Sequence, residues 1–391
     1  MSNLFEKNLY LLEETYKKRI PYLQSYPTML TIPVSDTCNL KCFYCGPGVH
    51  PEKYTLKISQ EAYERCQALF PYLEKIELEG TELFNTGKET IADWFCEQTL
   101  PYDQLKLYGA TNGILIDDRR AEALVKKFGA ISFTIDSCNP ELYAKIKVGG
   151  ELTVLEANIK KINDIKAKNG LAPHDPPLLQ FAAVIMRSTF RDLPKLVQWV
   201  SDRGGVFLSL RPLAQDLEEK EWEPIRLAED IFVYEKEIKE LHHSIEEAKK
   251  LGKRLGVTIY DLIYRKIRQI QFEHDMIDDP VVETPSPDLY PGICNYGWKG
   301  FYVLSNGVVS FHHCSRRILG NLNDQDVREI WNSPAAKEER INFLKYHYVH
   351  CSLVCEKGYG DDYKPPHRKE GFWEKIKRRR QKSGRYQGIL P

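Results

Sequence analysis

Three cysteines, Cys38, Cys42 and Cys45, lie within eight residues near the start of the chain. Three thiolates this close can converge on one iron-sulfur cubane, and because no fourth cysteine is nearby, one iron would have no protein ligand. An iron with an open position can bind and activate a second molecule. The same cysteines could instead form half of a zinc site or act as redox thiols in a loop. The stretch therefore predicts a metal-binding or redox function.

The spacing in Cys38-Asn39-Leu40-Lys41-Cys42-Phe43-Tyr44-Cys45 resembles that of the radical S-adenosylmethionine (radical SAM) family. In that family SAM chelates the open iron, and the aromatic residue before the third cysteine, here Tyr44, lies near the adenine. The resemblance implies that a [4Fe-4S] cluster cleaves SAM to methionine and a 5′-deoxyadenosyl radical, which takes hydrogen from an unactivated C–H bond. It also implies a reducing electron donor such as flavodoxin or ferredoxin.

Composition and charge mainly help to exclude classes of partner. The 391 residues are enough for one large domain and a smaller one, and 55 basic residues balance 55 acidic ones,. Net charge therefore indicates neither a nucleic-acid nor a membrane partner. No run has the length of a membrane span and the N-terminus lacks the apolar core of a signal peptide, so we expect a cytoplasmic protein. The basic tail, 361–391, could bind phosphate or RNA, or be a solvated end.

From residue 29, β-branched or aromatic runs alternate with helical patterns, which predicts parallel strands joined by crossover helices. We expect an α/β fold with a partial (β/α)6 barrel, the architecture of the radical SAM family. The predicted strands are 29–34, 75–79, 104–109, 130–135, 178–186 and 206–210. The predicted domains are an N-terminal helical segment (1–28), the barrel (29–213), a helical linker (214–290), a small β-hairpin-plus-helix auxiliary cluster domain (291–360) and the basic tail (361–391). A long amphipathic helix is expected at 228–251.

In parallel α/β sheets the functional groups gather at the carboxyl ends of the strands. After the second strand, Gly80-Thr81-Glu82 resembles the family's Gly-Gly-Glu segment, whose backbone and acid meet the SAM amino group. Thr81 replaces the second glycine. A turn with a solvated glutamate is the alternative.

Further strand ends supply other candidates for cofactor binding. The resemblance places Asn112 at the barrel mouth and Asp136 near the SAM ribose, although Asp136 could simply cap a helix. Arg187 and Arg211 follow strands five and six, where a guanidinium could hold the SAM carboxylate or an acidic substrate, or could lie at the surface. Cys138, beyond strand four, is a candidate hydrogen donor if the enzyme is an epimerase; a small buried residue before a helix is the alternative.

A second group of cysteines follows the linker. Two strand-like runs flank Asn306-Gly307, the strongest short signal for a hairpin, with Cys294 and Cys314 at its two bases,. Cys351 and Cys355 follow, so four thiolates could hold one iron-sulfur cluster or a structural zinc ion. The arrangement resembles the SPASM domain of radical SAM enzymes in its shortened, single-cluster Twitch form, with longer spacings than are usual there. His312 and His313 could donate hydrogen bonds to such a cluster.

A fully protein-ligated cluster can accept an electron from a substrate radical, which favours net oxidation. The single-cluster form also resembles that of radical dehydrogenases acting on aminocyclitols and sugars. This resemblance implies the first hypothesis, oxidation or redox rearrangement of a small polar metabolite of sugar, aminosugar or aminocyclitol type. The second is cross-linking or epimerisation of a ribosomally made peptide, against which the short N-terminal segment counts, because it lacks room for a peptide-recognition module. The third, a metal- or RNA-binding protein without catalysis, predicts steeply salt-dependent RNA binding.

Overall fold

A computed structural model describes residues 2–85, 89–263, 294–345 and 350. Among these residues, ten strands, numbered in chain order, form one sheet. The sheet begins with β12 (Gly320–Asn321), β11 (Val308–Ser310) and β10 (Gly300–Val303) and continues, in spatial order, through the seven strands whose bounds follow. Its parallel strands are β1 (Met29–Ser35), β3 (Lys75–Gly80), β4 (Lys106–Thr111), β5 (Phe128–Thr134), β7 (Leu178–Ile185), β8 (Gly205–Pro212) and β9 (Thr258–Asp261). The first six of these are the predicted barrel strands. The expected parallel α/β architecture is therefore present.

Two further sets of strands complete the sheets. The sheet continues through β10 (Gly300–Val303), β11 (Val308–Ser310) and β12 (Gly320–Asn321), of which β10 runs parallel to β1 and the other two are antiparallel. A separate two-stranded ribbon pairs β2 (Lys41–Cys42) with β6 (Lys147–Val148). This ribbon fastens the cysteine stretch to the segment that follows β5.

Helices connect the strands. The described α-helices are α1 (Ser2–Lys17), α2 (Gly46–Val49), α3 (Gln60–Cys66), α4 (Ile91–Gln98), α5 (Asp118–Lys127), α6 (Pro140–Ile146), α7 (Leu152–Lys168), α8 (Leu193–Asp202), α9 (Glu219–Glu229), α10 (Glu235–Leu255), α11 (Tyr296–Lys299), α12 (Val327–Trp331) and α13 (Pro334–Leu344). Side-chain oxygens of Ser59, Asp117 and Asn139 accept hydrogen bonds from the first turns of α3, α5 and α6,. None of the described helices is both long and apolar enough to span a lipid bilayer.

The strands alternate between buried and partly exposed residues. In β3, Ile76 and Leu78 are buried in the main core, whereas Lys75, Glu77 and Glu79 are half-buried. The same alternation holds in β1 and β7. Parallel strands covered by helices on both faces are normally apolar throughout. In these three strands one face is therefore packed in the core and the other is partly exposed.

The structure differs from the sequence-based expectation after β8. The segment 214–290 contains a seventh parallel strand, β9, which pairs with β8. The helix expected at 228–251 is present as α10 but begins later, at Glu235, because Asp230 ends α9 and caps a short 3-10 turn between the two helices. The hairpin of the auxiliary region is also not a separate sheet, since β10 extends the barrel sheet beside β1.

The N-terminal segment packs against the C-terminal part of the described chain. The indole of Trp298 donates to the carbonyl of Ile20 at 3.2 Å, and that of Trp331 donates to Ser25 at 2.9 Å. The guanidinium of Arg340, fully buried, donates to the carbonyls of Gly297, Pro21 and Trp331. These contacts fix the hairpin region to the start of β1.

Candidate active site

The three-cysteine stretch forms a compact loop after β1. Cys42 lies in β2, opposite Lys147, and Cys45 precedes α2. The loop closes through a hydrogen bond from the Cys45 amide to the Cys42 carbonyl at 3.1 Å. Two donors approach the sulfur of Cys38, the Leu40 amide at 3.4 Å and the Asn112 side chain at 3.7 Å. N–H groups directed at a cysteine sulfur are the kind of contact that tunes an iron-sulfur cluster.

The environment of these thiols fits a cationic cluster. All three are half-buried and unpaired by disulfides. Burial raises the pKa of each thiol. For Cys42 the pKa rises to about 12, because burial, together with Asp136, Cys45 and Cys38, outweighs the lowering effect of Lys147. Thiolates grouped here therefore require a positive partner. Within the described ranges no three His, Cys, Asp or Glu side chains are close enough to hold a single metal ion. A cubane differs, because each thiolate binds a different iron and the ligands lie further apart.

Glu82 is the buried acid next to this loop, at 2% exposure. Its Oε2 accepts from the Asn112 amide at 2.7 Å, and its Oε1 accepts from the Thr111 hydroxyl and, at 3.3 Å, from the Phe84 amide. Burial raises its pKa and these hydrogen bonds oppose the rise. No described residue offers it a cationic partner. The ammonium of SAM is the type of group that this carboxylate lacks.

The segment before Glu82 holds the loop in place. Gly80 has a φ of +145°, and a Cβ there would lie 2.6 Å from the Ser35 carbonyl oxygen, so a side chain is excluded,. The Thr81 amide donates to Ser35 at 3.2 Å and its hydroxyl donates to the Thr37 carbonyl. Thr81, which replaces the second glycine of the family segment, therefore ties β3 to the residue before Cys38.

Asn112 links the loop to β4. Its side-chain nitrogen donates to the Asn39 side chain at 2.8 Å as well as approaching the sulfur of Cys38, while its backbone amide holds Glu82. The structure thus brings together four of the predicted site residues: Cys38, Thr81, Glu82 and Asn112.

Tyr44 and Asp136 form a second, internal group. The Tyr44 hydroxyl donates to Oδ2 of Asp136 at 2.8 Å, and Lys147 Nζ lies 3.1 Å from the same oxygen. Oδ1 of Asp136 accepts from the Val184 amide at 2.9 Å. Burial alone would lower the pKa of Lys147, but the adjacent Asp136 carboxylate holds that pKa well above its usual value. Both oxygens of Asp136 are thus engaged inside the protein, and its contact with the SAM ribose stays a prediction.

The two arginines differ in environment. The Arg187 guanidinium donates to Oε1 of Glu237 at 2.9 and 3.0 Å and stacks over Tyr234. Two of its five N–H donors are thus used on Glu237, and the remaining donors could still meet a ligand carboxylate,. Arg211 is exposed near the end of β8 and makes no ion pair with any described residue. It keeps its predicted role as an anion-binding candidate.

Cys138 packs against the main core at half burial. Burial raises the pKa of its thiol, and the charged side chains that influence it, Asp192, Lys195 and Arg203, lie on or beside α8. The thiol therefore faces the helical layer. A role as hydrogen donor stays a prediction.

The second cysteine group is partly described. Cys314 is buried at 6% exposure, Cys294 is half-buried, and Nδ1 of His312 lies 3.1 Å from the sulfur of Cys314. The His312 ring is flanked by Tyr296 and His313, each with a centroid at 3.9 Å. Cys351 and Cys355 lie outside the described residues. The part that is described places one histidine against a candidate cluster ligand.

Two residues that the sequence did not indicate also reach the strand ends. Glu79 Oε2 accepts a hydrogen bond from the Tyr302 hydroxyl at 2.8 Å, which joins β3 to β10 across β1. Both line a cleft of about 480 Å³ together with Ser35, Gly80 and Thr81. The alternating polar residues of β3 could have pointed to Glu79, because they mark a face that helices do not cover. Tyr302 carried no such signal, since its position depends on β10 pairing with β1.

Comparisons with known proteins agree with this site. The family model of the radical SAM superfamily matches residues 32–172, and that of the SPASM iron-sulfur cluster-binding domain matches residues 294–356. The probable GTP 3′,8-cyclase of Methanocaldococcus jannaschii is 25% identical over 196 residues, which cover 48% of this chain and 60% of that protein. The GTP 3′,8-cyclase of Hydrogenovibrio crunogenus is 28% identical over 200 residues, 49% of this chain and 54% of the relative. The chain thus spans three fifths or less of these relatives.

Among solved structures, SuiB of Streptococcus suis bound to the precursor peptide SuiA superposes with a TM-score of 0.54 at 16% identity. The superposition covers 85% of this chain and 71% of SuiB. At this identity the likeness concerns the fold alone. By its two family matches, the chain belongs to the radical SAM superfamily and carries a SPASM-type iron-sulfur domain.

Proposed function

We propose that this radical SAM enzyme oxidises, or rearranges by a redox route, a small polar metabolite of sugar, aminosugar or aminocyclitol type. The observation that carries the proposal is the cleft of about 480 Å³ beside Gly80 and Thr81. Its lining is mixed and includes the polar side chains of Asp36, Glu79 and Tyr302. A cleft of this size suits a compact ligand held by a few polar groups.

The cofactors of the superfamily are a [4Fe-4S] cluster that binds SAM and, through the SPASM domain, an auxiliary cluster. When bound, they supply one-electron cleavage of SAM and the resulting hydrogen abstraction. The protein's own residues would position the substrate and shield the radical. Cys38, Cys42 and Cys45 would hold the first cluster, and Glu82, oriented by Thr111 and Asn112, would bind the SAM ammonium,.

The second cluster supports net oxidation. Cys294 and Cys314, with Cys351 and Cys355, would leave it no site for substrate, so it would act as an electron acceptor. A flavodoxin- or ferredoxin-like donor would supply the electron that starts each turnover. His312, against Cys314, would hold that ligand in place.

The test is anaerobic turnover with reconstituted enzyme, SAM and dithionite, and a panel of aminosugars, aminocyclitols and sugars. GTP, on which the named relatives act, and short peptides complete the panel. We expect an aminosugar-type compound to raise 5′-deoxyadenosine formation and to yield one oxidised product per SAM consumed. Regeneration of SAM after each turnover would contradict net oxidation, and a response to peptides alone would favour peptide maturation.

A further inference from the structure

The cleft beside the candidate SAM site is built by two parts of the chain. One wall comes from the carboxyl ends of β1 and β3, and the other comes from the turn between β10 and β11, residues 304–306. The segment 53–57, which follows the cysteine loop, covers one side. The Lys57 amide donates to the Ser305 carbonyl at 2.7 Å, which fixes this segment to the turn. The cleft therefore depends on β10 docking beside β1.

Glu79 is a partly buried charge in this cleft that has no counter-ion among the described residues. Its Oε2 accepts from Tyr302, and Oε1 has no hydrogen-bond partner among the described residues. No described lysine, arginine or histidine lies within ion-pair distance of it. Burial raises its pKa, the Tyr302 hydroxyl opposes that rise, and nearby Glu77 adds to it. A half-desolvated carboxylate is stabilised best by a cation that also donates hydrogen bonds.

The other charged groups of the cleft make contacts of their own or are exposed. Lys53 pairs with Glu218 at 2.5 Å, and Asp36 accepts the Leu56 amide at 2.8 Å. Lys57 is exposed, so water solvates it. Neither carboxylate of the cleft, Glu79 nor Asp36, has a counter-ion among the described residues, and Glu79 is the one that lies on β3 beside Gly80 and Thr81.

We propose that Glu79, oriented by Tyr302, binds an ammonium group of the substrate. This inference rests on the proposed function and narrows it, because it selects amine-bearing hydroxylated molecules over neutral or anionic sugars. A protonated amine would pair with both carboxylate oxygens, while the Tyr302 hydroxyl keeps Oε2 in position. The adjacent Gly80 and Thr81 place this amine site next to the segment that would hold SAM.

A matched pair of probes tests the inference. Binding of glucosamine and of glucose to the reconstituted, SAM-loaded enzyme is measured by calorimetry or saturation-transfer NMR. The ammonium of glucosamine would make a charge-assisted hydrogen bond to the partly buried Glu79 carboxylate, and glucose has no such group. Glucosamine should therefore bind at least about tenfold more tightly than glucose. Glu79→Gln, which keeps the side-chain shape and removes the charge, should abolish that preference.

The control is Glu77→Gln. Glu77 lies on the same strand and the same face, pairs with Lys75 at 2.8 Å and does not line the cleft. The Glu77→Gln variant should keep the preference for glucosamine over glucose. Absence of glucosamine binding, equal binding of the two sugars, or a preference that survives Glu79→Gln would each overturn the inference.

Formation of 5′-deoxyadenosine by the same wild-type preparation separates this inference from the proposed function. If SAM is cleaved but the amine is not preferred, the assignment of Glu79 fails and the radical chemistry stands. If SAM is not cleaved, the proposed function itself fails. A preference abolished by Glu79→Gln but not by Glu77→Gln supports the assignment.

Discussion

The buried pair of Asp136 and Lys147 behind the cysteine loop gives a quantitative prediction. Lys147 Nζ lies 3.1 Å from the carboxylate, and the two side chains are 3% and 1% exposed. With an effective dielectric constant of about 20, charges at this distance attract by about 5 kcal/mol. Desolvation offsets much of this attraction in the intact pair, but removing one partner leaves the other charge buried and uncompensated.

Asp136→Asn should therefore lower the free energy of unfolding by about 3 kcal/mol or more, because the Lys147 ammonium loses its counter-ion. Lys147→Met should cost less, since Tyr44 and Val184 still donate to the carboxylate. The double-mutant cycle of these two substitutions should give a coupling energy between Asp136 and Lys147 of at least about 2 kcal/mol. The free energy of unfolding of the wild type, the two single variants and the double variant is measured by urea unfolding of cluster-free protein, monitored by circular dichroism.

An exposed pair provides the control. Lys160 and Asp164 lie 2.6 Å apart on α7, but their side chains are 74% and 62% exposed. The equivalent cycle there should give a coupling energy of about 0.5 kcal/mol or less. A buried pair that couples no more strongly than this exposed one would refute the argument. Loss of SAM binding by Asp136→Asn with unchanged stability would instead favour the predicted ribose contact.

Three other predictions concern the iron-sulfur clusters, SAM binding and the contacts of Arg340 with the N-terminal segment. Replacing Cys38, Cys42 and Cys45 together by alanine should reduce iron from about eight to about four per chain, measured after anaerobic purification; a fall from about four to near none, with zinc present, would make the second site structural. Glu82→Gln should weaken SAM binding at least about tenfold in calorimetry while iron content stays unchanged, and unaltered affinity would exclude an ammonium contact. Arg340→Met should lower the urea midpoint, because the buried carbonyls of Gly297 and Trp331 lose their donor at about 1–3 kcal/mol each and the partly buried carbonyl of Pro21 loses its donor as well; an unchanged midpoint would contradict a structural role,.

The sequence by itself determined the cofactor chemistry and the order of the barrel elements. Cysteine spacing is local, so Cys38, Cys42 and Cys45 must lie in one loop whatever the rest of the chain does. Alternating strand and helix patterns likewise gave the first six parallel strands. Strand polarity then placed Glu82 and Asn112 at the same edge, where the structure shows them hydrogen-bonded.

Only the tertiary structure decided which polar groups meet. The pairing of β10 with β1 joins residues more than 270 positions apart, and no local pattern encodes it. That pairing brings Tyr302 to Glu79 and builds the cleft. In the same way, Arg187 and Asp136 looked available in the sequence, but Glu237 and Lys147 engage them in the fold. Ion pairs and strand neighbours depend on long-range packing, which residue spacing cannot specify.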